Sequence, residues 1–313
     1  MVKVVSGVIR GLPYADVDLT KLQISRRGEA SGAIMALYAQ INKWCEDTGY
    51  PSGLRTHSFL INKLMYFSEK EIQKKNAKFR IDTGWYLYGP CYEAGRMYEV
   101  DQAPISIVPI SEKVSNEVGR VCEELVPLFA ECSKRGPGGV RRDFLSYIYS
   151  KKCDHDELCE YYMAKHAMQC KLWEFGDNLS EIDTAGAPEE ISKTITLFDK
   201  ALLNGEYSGY VGLEDKQIGQ LVEFTPVLEE YARMVAEGSA SRTFFETINA
   251  VADVAFNALA HLNYSTTFES FNANHTKNVR KTHRSTAEKK LRLLELENHR
   301  LLDAYGKAHM PGT

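Results

Sequence analysis

The chain has no run of the roughly 20 apolar residues that a bilayer-spanning helix needs. Its amino terminus, MVKVVSGVIRGLPYADVD, lacks the continuous apolar core of a secretory leader. There is no Cys-x-x-Cys pair, and the seven cysteines are odd in number and follow no repeated framework. Both facts count against a disulfide scaffold and point to a reducing compartment, so the expected location is the cytoplasm, with no membrane association. Neither GxSxG, GxxxxGK[ST], HExxH nor a GxGxxG after a strand occurs, which counts against the standard hydrolytic and nucleotide-using chemistries. No cofactor and no metal are expected. No stretch repeats itself, which excludes a solenoid.

A large surplus of either charge is also missing, since the 313 residues carry a net −4. That sum hides an asymmetry. Residues 1–150 hold 20 Lys and Arg against 17 Asp and Glu, residues 151–270 hold 9 against 21, and residues 271–313 hold 9 against 4. An acidic middle thus lies between mildly basic ends. Apolar residues make up 44% and charged residues 26%, ordinary globular values, and the length suffices for one large domain or two smaller ones.

What is present is mostly helical periodicity. Ile34, Leu37, Tyr38, Ile41 and Trp44 recur at helical spacing within Ala33–Cys45 and stop at Thr48-Gly49-Tyr50-Pro51. Leu60, Ile61, Leu64, Met65, Phe67 and Ile72 predict a second helix, with Asn62, Lys63, Glu69 and Lys70 on its polar side. Glu112–Cys132 predicts a third, interrupted by Pro127. Further helices are expected over Asp143–Ser150, Asp154–Phe175, Glu189–Leu203, Leu213–Ala236, Ser239–Phe271 and His275–His309. Val2–Ile9 is the best strand candidate, and Ile105–Ile110 an edge strand or connector between two prolines. The fold class is therefore mainly α, with at most a small β element in the N-terminal half.

The Gly-Pro-Gly-Gly segment 134–142 predicts a basic loop and the main internal boundary. The expected organisation is an N-terminal helical domain over 1–133, that linker, an acidic helical domain over 143–271, and a C-terminal helix over 272–313 that serves assembly.

The least generic stretch is Thr56–Glu93, where Lys63-Leu64-Met65-Tyr66-Phe67 is followed after a spacer by Trp85-Tyr86-Leu87-Tyr88-Gly89-Pro90. These two motifs resemble the Panacea-type domains associated with antitoxins in prokaryotic toxin–antitoxin and phage-defence loci. The resemblance covers about Thr56–Val100. It implies a mostly helical, non-enzymatic binding or regulatory protein that recognises a protein partner.

Trp85, Tyr86, Tyr88 and Tyr92 are then candidate anchors for that partner, because aromatics supply much of the contact energy at interfaces. Two basic groups are candidates for nucleic-acid phosphates: Lys134, Arg135, Arg141 and Arg142 in the Gly-rich segment, and Lys277, Arg280, Lys281 and Arg284 on the last helix.

Two alternatives follow from the same last helix. Arg292 and His299 stand two turns apart and resemble the Arg-x(4–6)-His pattern of helical ribonuclease domains, which implies a metal-independent ribonuclease. Leu291, Leu294, Leu301 and Tyr305 form an a/d seam, either for homo-oligomerisation as a structural subunit or for docking on the helix's own domain. The cluster Cys153, His155, Cys159, His166 and Cys170 spans too much helix to hold one metal. Only His155 with Cys159, or His166 with Cys170, is close enough to share one, and the favoured reading is a core-facing stripe of Cys159, Met163, His166, Cys170 and Trp173.

Overall fold

The computed structural model describes residues 27–50, 58–92, 115–177, 187–203, 205–224, 226–227, 234 and 242–301. The strand expected at Val2–Ile9, the connector at Ile105–Ile110 and Tyr305 lie outside the described residues. The protein is mainly α, with a single two-stranded antiparallel sheet among the described residues, at 83–92. In chain order the elements are α1 (Arg27–Asp47), α2 (Ser58–Gln73), β1 (Thr83–Tyr86), β2 (Gly89–Tyr92), α3 (Asn116–Ser133), α4 (Gly136–Gly139), a π-helix (Val140–Phe144), α5 (Leu145–Lys151), α6 (Asp156–Asp177), α7 (Ala187–Leu203), α8 (Gly205–Val211), α9 (Asp215–Val222), α10 (Arg242–Thr267) and α11 (Ala273–Leu301). No helix among the described residues is long and apolar enough to cross a membrane.

The chain forms two compact units. The first comprises Met1–Tyr86, Pro90–Gly139 and Thr267–Arg280, and the second Leu87–Gly89, Val140–Thr266 and Lys281–Thr313. Residues 136–144 are helical, where the Gly-Pro-Gly-Gly composition predicts a loop. Glycine lowers helix propensity without forbidding the conformation, and Pro137 stands at the second position of its helical turn, where no intrahelical N–H bond is lost.

In the first unit α1, α2 and α3 pack on one another. The apolar faces are those the periodicity predicts: Ile34, Leu37 and Ile41 of α1, Leu60, Ile61, Leu64 and Met65 of α2, and Val118, Val121 and Leu125 of α3 are all buried. The first helix stops at Gly49, whose φ of 75° is the left-handed conformation that glycine adopts at a helix end. There Gly49 N donates to Glu46 O and Tyr50 N to Cys45 O. Tyr50 folds back and stacks on Trp44, ring centres 5.7 Å apart.

Helix α2 departs from its expected two-faced pattern. Lys63 and Glu69, placed on the polar side by periodicity, are 2% and 1% exposed. A charged side chain at such burial requires partners, and the segment that follows α2 provides them. Lys63 Nζ donates to Pro90 O at 2.7 Å. The Glu69 carboxylate accepts from Ile81 N at 2.8 Å and from Thr83 Oγ1 at 2.5 Å. Trp85, fully buried, donates from Nε1 to Tyr66 Oη at 2.9 Å, and the two rings meet edge to face. Gly89 has a φ of 81°, which fits the tight turn between β1 and β2.

In the second unit α6 packs against α5, α7 and α8. Its buried residues include Leu158, Tyr161, Tyr162, Lys165 and Met168, whereas Met163 is 50% exposed. The expected core stripe through Met163 is therefore rotated by part of a turn, because the tyrosines claim the interior. Tyr161 stacks on Tyr207 at 4.4 Å, Tyr207 Oη donates to Asn263 Oδ1, and Asn263 Nδ2 donates to Tyr162 Oη. Leu291, Leu294 and Leu301 are buried in this unit, and Asn298 Nδ2 donates to Gln220 O. The seam thus docks on its own unit, the second of the two readings, and these side chains are not on the surface. A disulfide joins Cys153 to Cys159, Cα atoms 5.8 Å apart, while the other five cysteines are free thiols. One bridge beside five thiols is not a disulfide scaffold, though a disulfide is a departure from what a reducing compartment favours.

Burial raises the Glu69 carboxyl from its ordinary 4.5 to about 7, against the opposing hydrogen bonds of Thr83 and Ile81. Between those values the folded protein binds more protons than the unfolded chain, so this contribution to stability is full below pH 4.5 and is lost as pH rises through 7. Glu69→Gln keeps an acceptor and abolishes the titration. Its urea-unfolding free energy, measured against the parent from pH 4 to 8, should gain on the parent by up to about 3 kcal/mol across that window.

Candidate functional site

Of the aromatic anchors expected from the sequence, Trp85 and Tyr92 are core residues, 0% and 7% exposed. The same apolar area that makes a tryptophan a good anchor makes it a good core residue, and here the edge-to-face contact with Tyr66 takes it inside. Tyr86 and Tyr88 are half-buried. In the second unit the buried Lys165 ammonium donates to Leu87 O and lies 5.7 Å from the Tyr88 ring centre and 5.0 Å from that of Tyr162. Tyr88 is thus already engaged by a cation.

The basic residues divide in the same way between exposed and engaged. Lys134 pairs with Glu131 at 2.6 Å, and Arg135 donates to Cys132 Sγ, both at the exposed end of α3. Arg141 and Arg142 are exposed on the π-helix. Arg284 donates from both terminal nitrogens to the carbonyls of Val211 and Gly212, where its charge also complements the C-terminal end of α8. It is therefore a capping residue. Lys281 is exposed on α11, as are Arg292 and His299 of the ribonuclease reading.

Lys277 and Arg280 have a different setting. In the first unit an open depression of about 540 Å³ is lined by Arg80, Glu269, Ser270, Phe271, Ala273, Thr276, Lys277 and Arg280. Among the described residues, three cations and one carboxylate therefore face one concavity. Helical spacing explains part of this, since residues three and four apart share a face and bring Thr276, Lys277 and Arg280 together. The rest is tertiary. Arg80 comes from the segment after α2, and it is brought there because Thr83 pairs with Glu269 as an antiparallel bridge, Thr83 N to Glu269 O at 3.0 Å and the return bond at 2.8 Å.

Each arginine of the depression is oriented by one hydrogen bond to backbone. Arg80 Nη1 donates to Phe79 O and its Nε lies 3.2 Å from Glu269 Oε2, while Arg280 Nε donates to Phe268 O at 2.9 Å. Lys277 is exposed and has no partner among the described residues. Asn272 caps α11, its Oδ1 accepting from Asn274 N and His275 N, which fixes the helix start beside Phe271. Held guanidinium groups next to an unpaired ammonium suit a multiply charged anion. The sequence named Lys277 and Arg280. It missed Phe271, which stands just before the same helix, and Arg80, which no local pattern links to them.

Three histidine settings in the second unit bear on chemistry. His166 Nε2 stands 3.0 Å from Arg142 O and 3.0 Å from Ser146 Oγ, with Cys170 Sγ at 3.6 Å. Because a carbonyl only accepts, Nε2 carries the proton and holds the π-helix carbonyl, so it is not a base toward Ser146. Burial lowers its pKa, opposed by the Arg142 hydrogen bond. Cys159 of the other candidate pair is in the disulfide, and His155 Nδ1 lies 3.3 Å from Tyr210 Oη. Among the described residues no three His, Cys, Asp or Glu side chains are grouped as metal ligands.

The third is a contact that the sequence did not suggest. His261 Nδ1 of α10 meets His283 Nδ1 of α11 at 2.9 Å, beside the Tyr264 ring. One nitrogen must donate and the other accept, so the pair admits at most one imidazolium. Burial lowers His261 to about 4, with His283 and Lys290 adding repulsion. The unfolded chain then binds the extra proton first, so stability is full above pH 6.5 and is lost as pH falls toward 4. His261→Asn should flatten this limb of the stability profile, measured by urea unfolding from pH 4 to 7, and an unchanged limb would rule the pair out as its source.

Compared with known proteins, the chain matches no family model, no curated sequence and no solved structure.

Proposed function

We propose that this protein is a non-enzymatic binding protein that holds a phosphate-bearing polyanion, nucleic acid first among them, in the depression of the first unit. The observation that carries this reading is the convergence of Arg80, Lys277 and Arg280 on one open concavity against the single carboxylate of Glu269. Guanidinium forks match phosphate oxygens in geometry, and an exposed lysine adds a compact point charge on a flexible stem. Such a site fixes a backbone without reading its sequence.

The resemblance of Lys63–Phe67 and Trp85–Pro90 to Panacea-type domains supports a regulatory role in a prokaryotic defence or toxin-control system, with a protein partner and with action in the cytoplasm. Under that reading the anchor residues expected at Trp85 and Tyr92 serve the domain's own core. Partner recognition is left to exposed surface.

With three cations engaged, the affinity for a labelled 20-nucleotide RNA or duplex, followed by fluorescence anisotropy, should fall with salt. The log–log slope should be about −2 to −3. Lys277, whose side chain has no partner among the described residues, is the residue to change: Lys277→Glu should flatten that slope and weaken binding at least tenfold for every sequence tested. Absence of binding by the parent protein at low salt, or full binding by Lys277→Glu, would overturn the proposal.

A further inference from the structure

The lining of the depression is not only cationic. Phe271, half-exposed, forms part of its wall between the fixed carboxylate of Glu269 and the capped start of α11. An aromatic ring in a concave, cation-lined wall offers what duplex nucleic acid cannot use, because the faces of paired bases are covered by their neighbours in the stack. An unstacked base leaves both faces available.

The charge count points the same way. Proteins that hold duplex DNA by its backbone alone neutralise many phosphates along a groove, whereas here three cations surround one cavity and the whole chain is acidic, net −4. So small an electrostatic contribution needs an apolar contact beside it. A volume of about 540 Å³ accommodates one nucleotide with room for the flanking phosphates. Glu269 supplies an acceptor at the rim, held in place by the Thr83 bridge and by Arg80.

We infer that the depression takes a single nucleotide of single-stranded nucleic acid, its base against the Phe271 ring and its adjoining phosphates on Lys277, Arg280 and Arg80. This rests on the polyanion reading of the same site and specifies its ligand. Stacking, rather than hydrogen bonding to base edges, then carries the preference, so the site discriminates strandedness and tolerates sequence.

The test compares a labelled 12-nucleotide single strand with the blunt duplex of the same sequence, by anisotropy at one fixed salt concentration. The single strand should bind at least tenfold more tightly. Phe271→Ala should weaken single-strand binding by about 5- to 150-fold, the range for removing one stacking platform, and leave duplex binding as it was. If Phe271→Ala does not fold, as judged by circular dichroism, Phe271→Trp replaces it, and its indole emission should be quenched by the single strand and not by the duplex.

Equal affinity for both forms, an affinity unchanged by Phe271→Ala, or an unquenched Trp at position 271 would overturn this inference. Loss of binding to both forms by Lys277→Glu would show that the polyanion reading stands even then. No binding of either form by the parent protein would remove both.

Discussion

Burying a helix on all sides forces its polar residues to find partners, and that constraint at α2 shapes the first unit. Lys63 and Glu69 lie inside with the apolar residues of the same helix, and neither is neutralised by the other. Their polar groups are satisfied by the backbone that follows, Pro90 O for the amine and Ile81 N for the carboxylate. Leaving such groups unsatisfied costs more than the bond itself contributes, so these contacts specify where the chain after α2 must run. Burial lowers the Lys63 amine to about 7, opposed by Cys91, yet it donates to a carbonyl whether charged or neutral.

The candidate site is downstream of that constraint. Glu69 also accepts from the Thr83 hydroxyl, Thr83 pairs through its backbone with Glu269, and Glu269 meets Arg80 in the wall of the depression. Rigid elements thus position the cations at one remove from the core. The segment after α2 supplies Arg80 and the start of α11 supplies Lys277 and Arg280, and the Thr83–Glu269 bridge holds the two together. Elsewhere in the unit Glu117 is held below the usual carboxylate range although burial pushes it up, because Lys75 at 2.5 Å and Arg120 outweigh the burial. Some of the surface cations are therefore spent on structure, and those around the depression stand out by contrast.

The second unit solves the same problem with tyrosines and amides. Tyr162, Tyr207 and Asn263 close a hydrogen-bonded chain inside the core, and Arg284 satisfies the carbonyls at the end of α8. Fully satisfied polar networks of this kind specify one arrangement of their helices, since any other leaves a buried group unpaired. They also remove residues from the surface. Arg284 and the leucines of the α11 seam are given over to internal contacts.

The sequence by itself determined the helical class and most of the apolar faces, because a 3.6-residue period in Ile34, Leu37 and Ile41, or in Val118, Val121 and Leu125, reports which side of a helix avoids water. It also put Lys277 and Arg280 one turn apart, a local relation that helix geometry fixes. Tertiary structure decided the rest. Whether Trp85 is an anchor or a core residue, whether Lys63 and Glu69 face solvent, and whether Leu291 and Leu294 meet their own unit all depend on what covers them. Arg80 joins Lys277 through the pairing of Thr83 with Glu269, a contact across 186 positions that no local spacing encodes. Periodicity records burial along one element, whereas a site is a juxtaposition of several, and only packing supplies it.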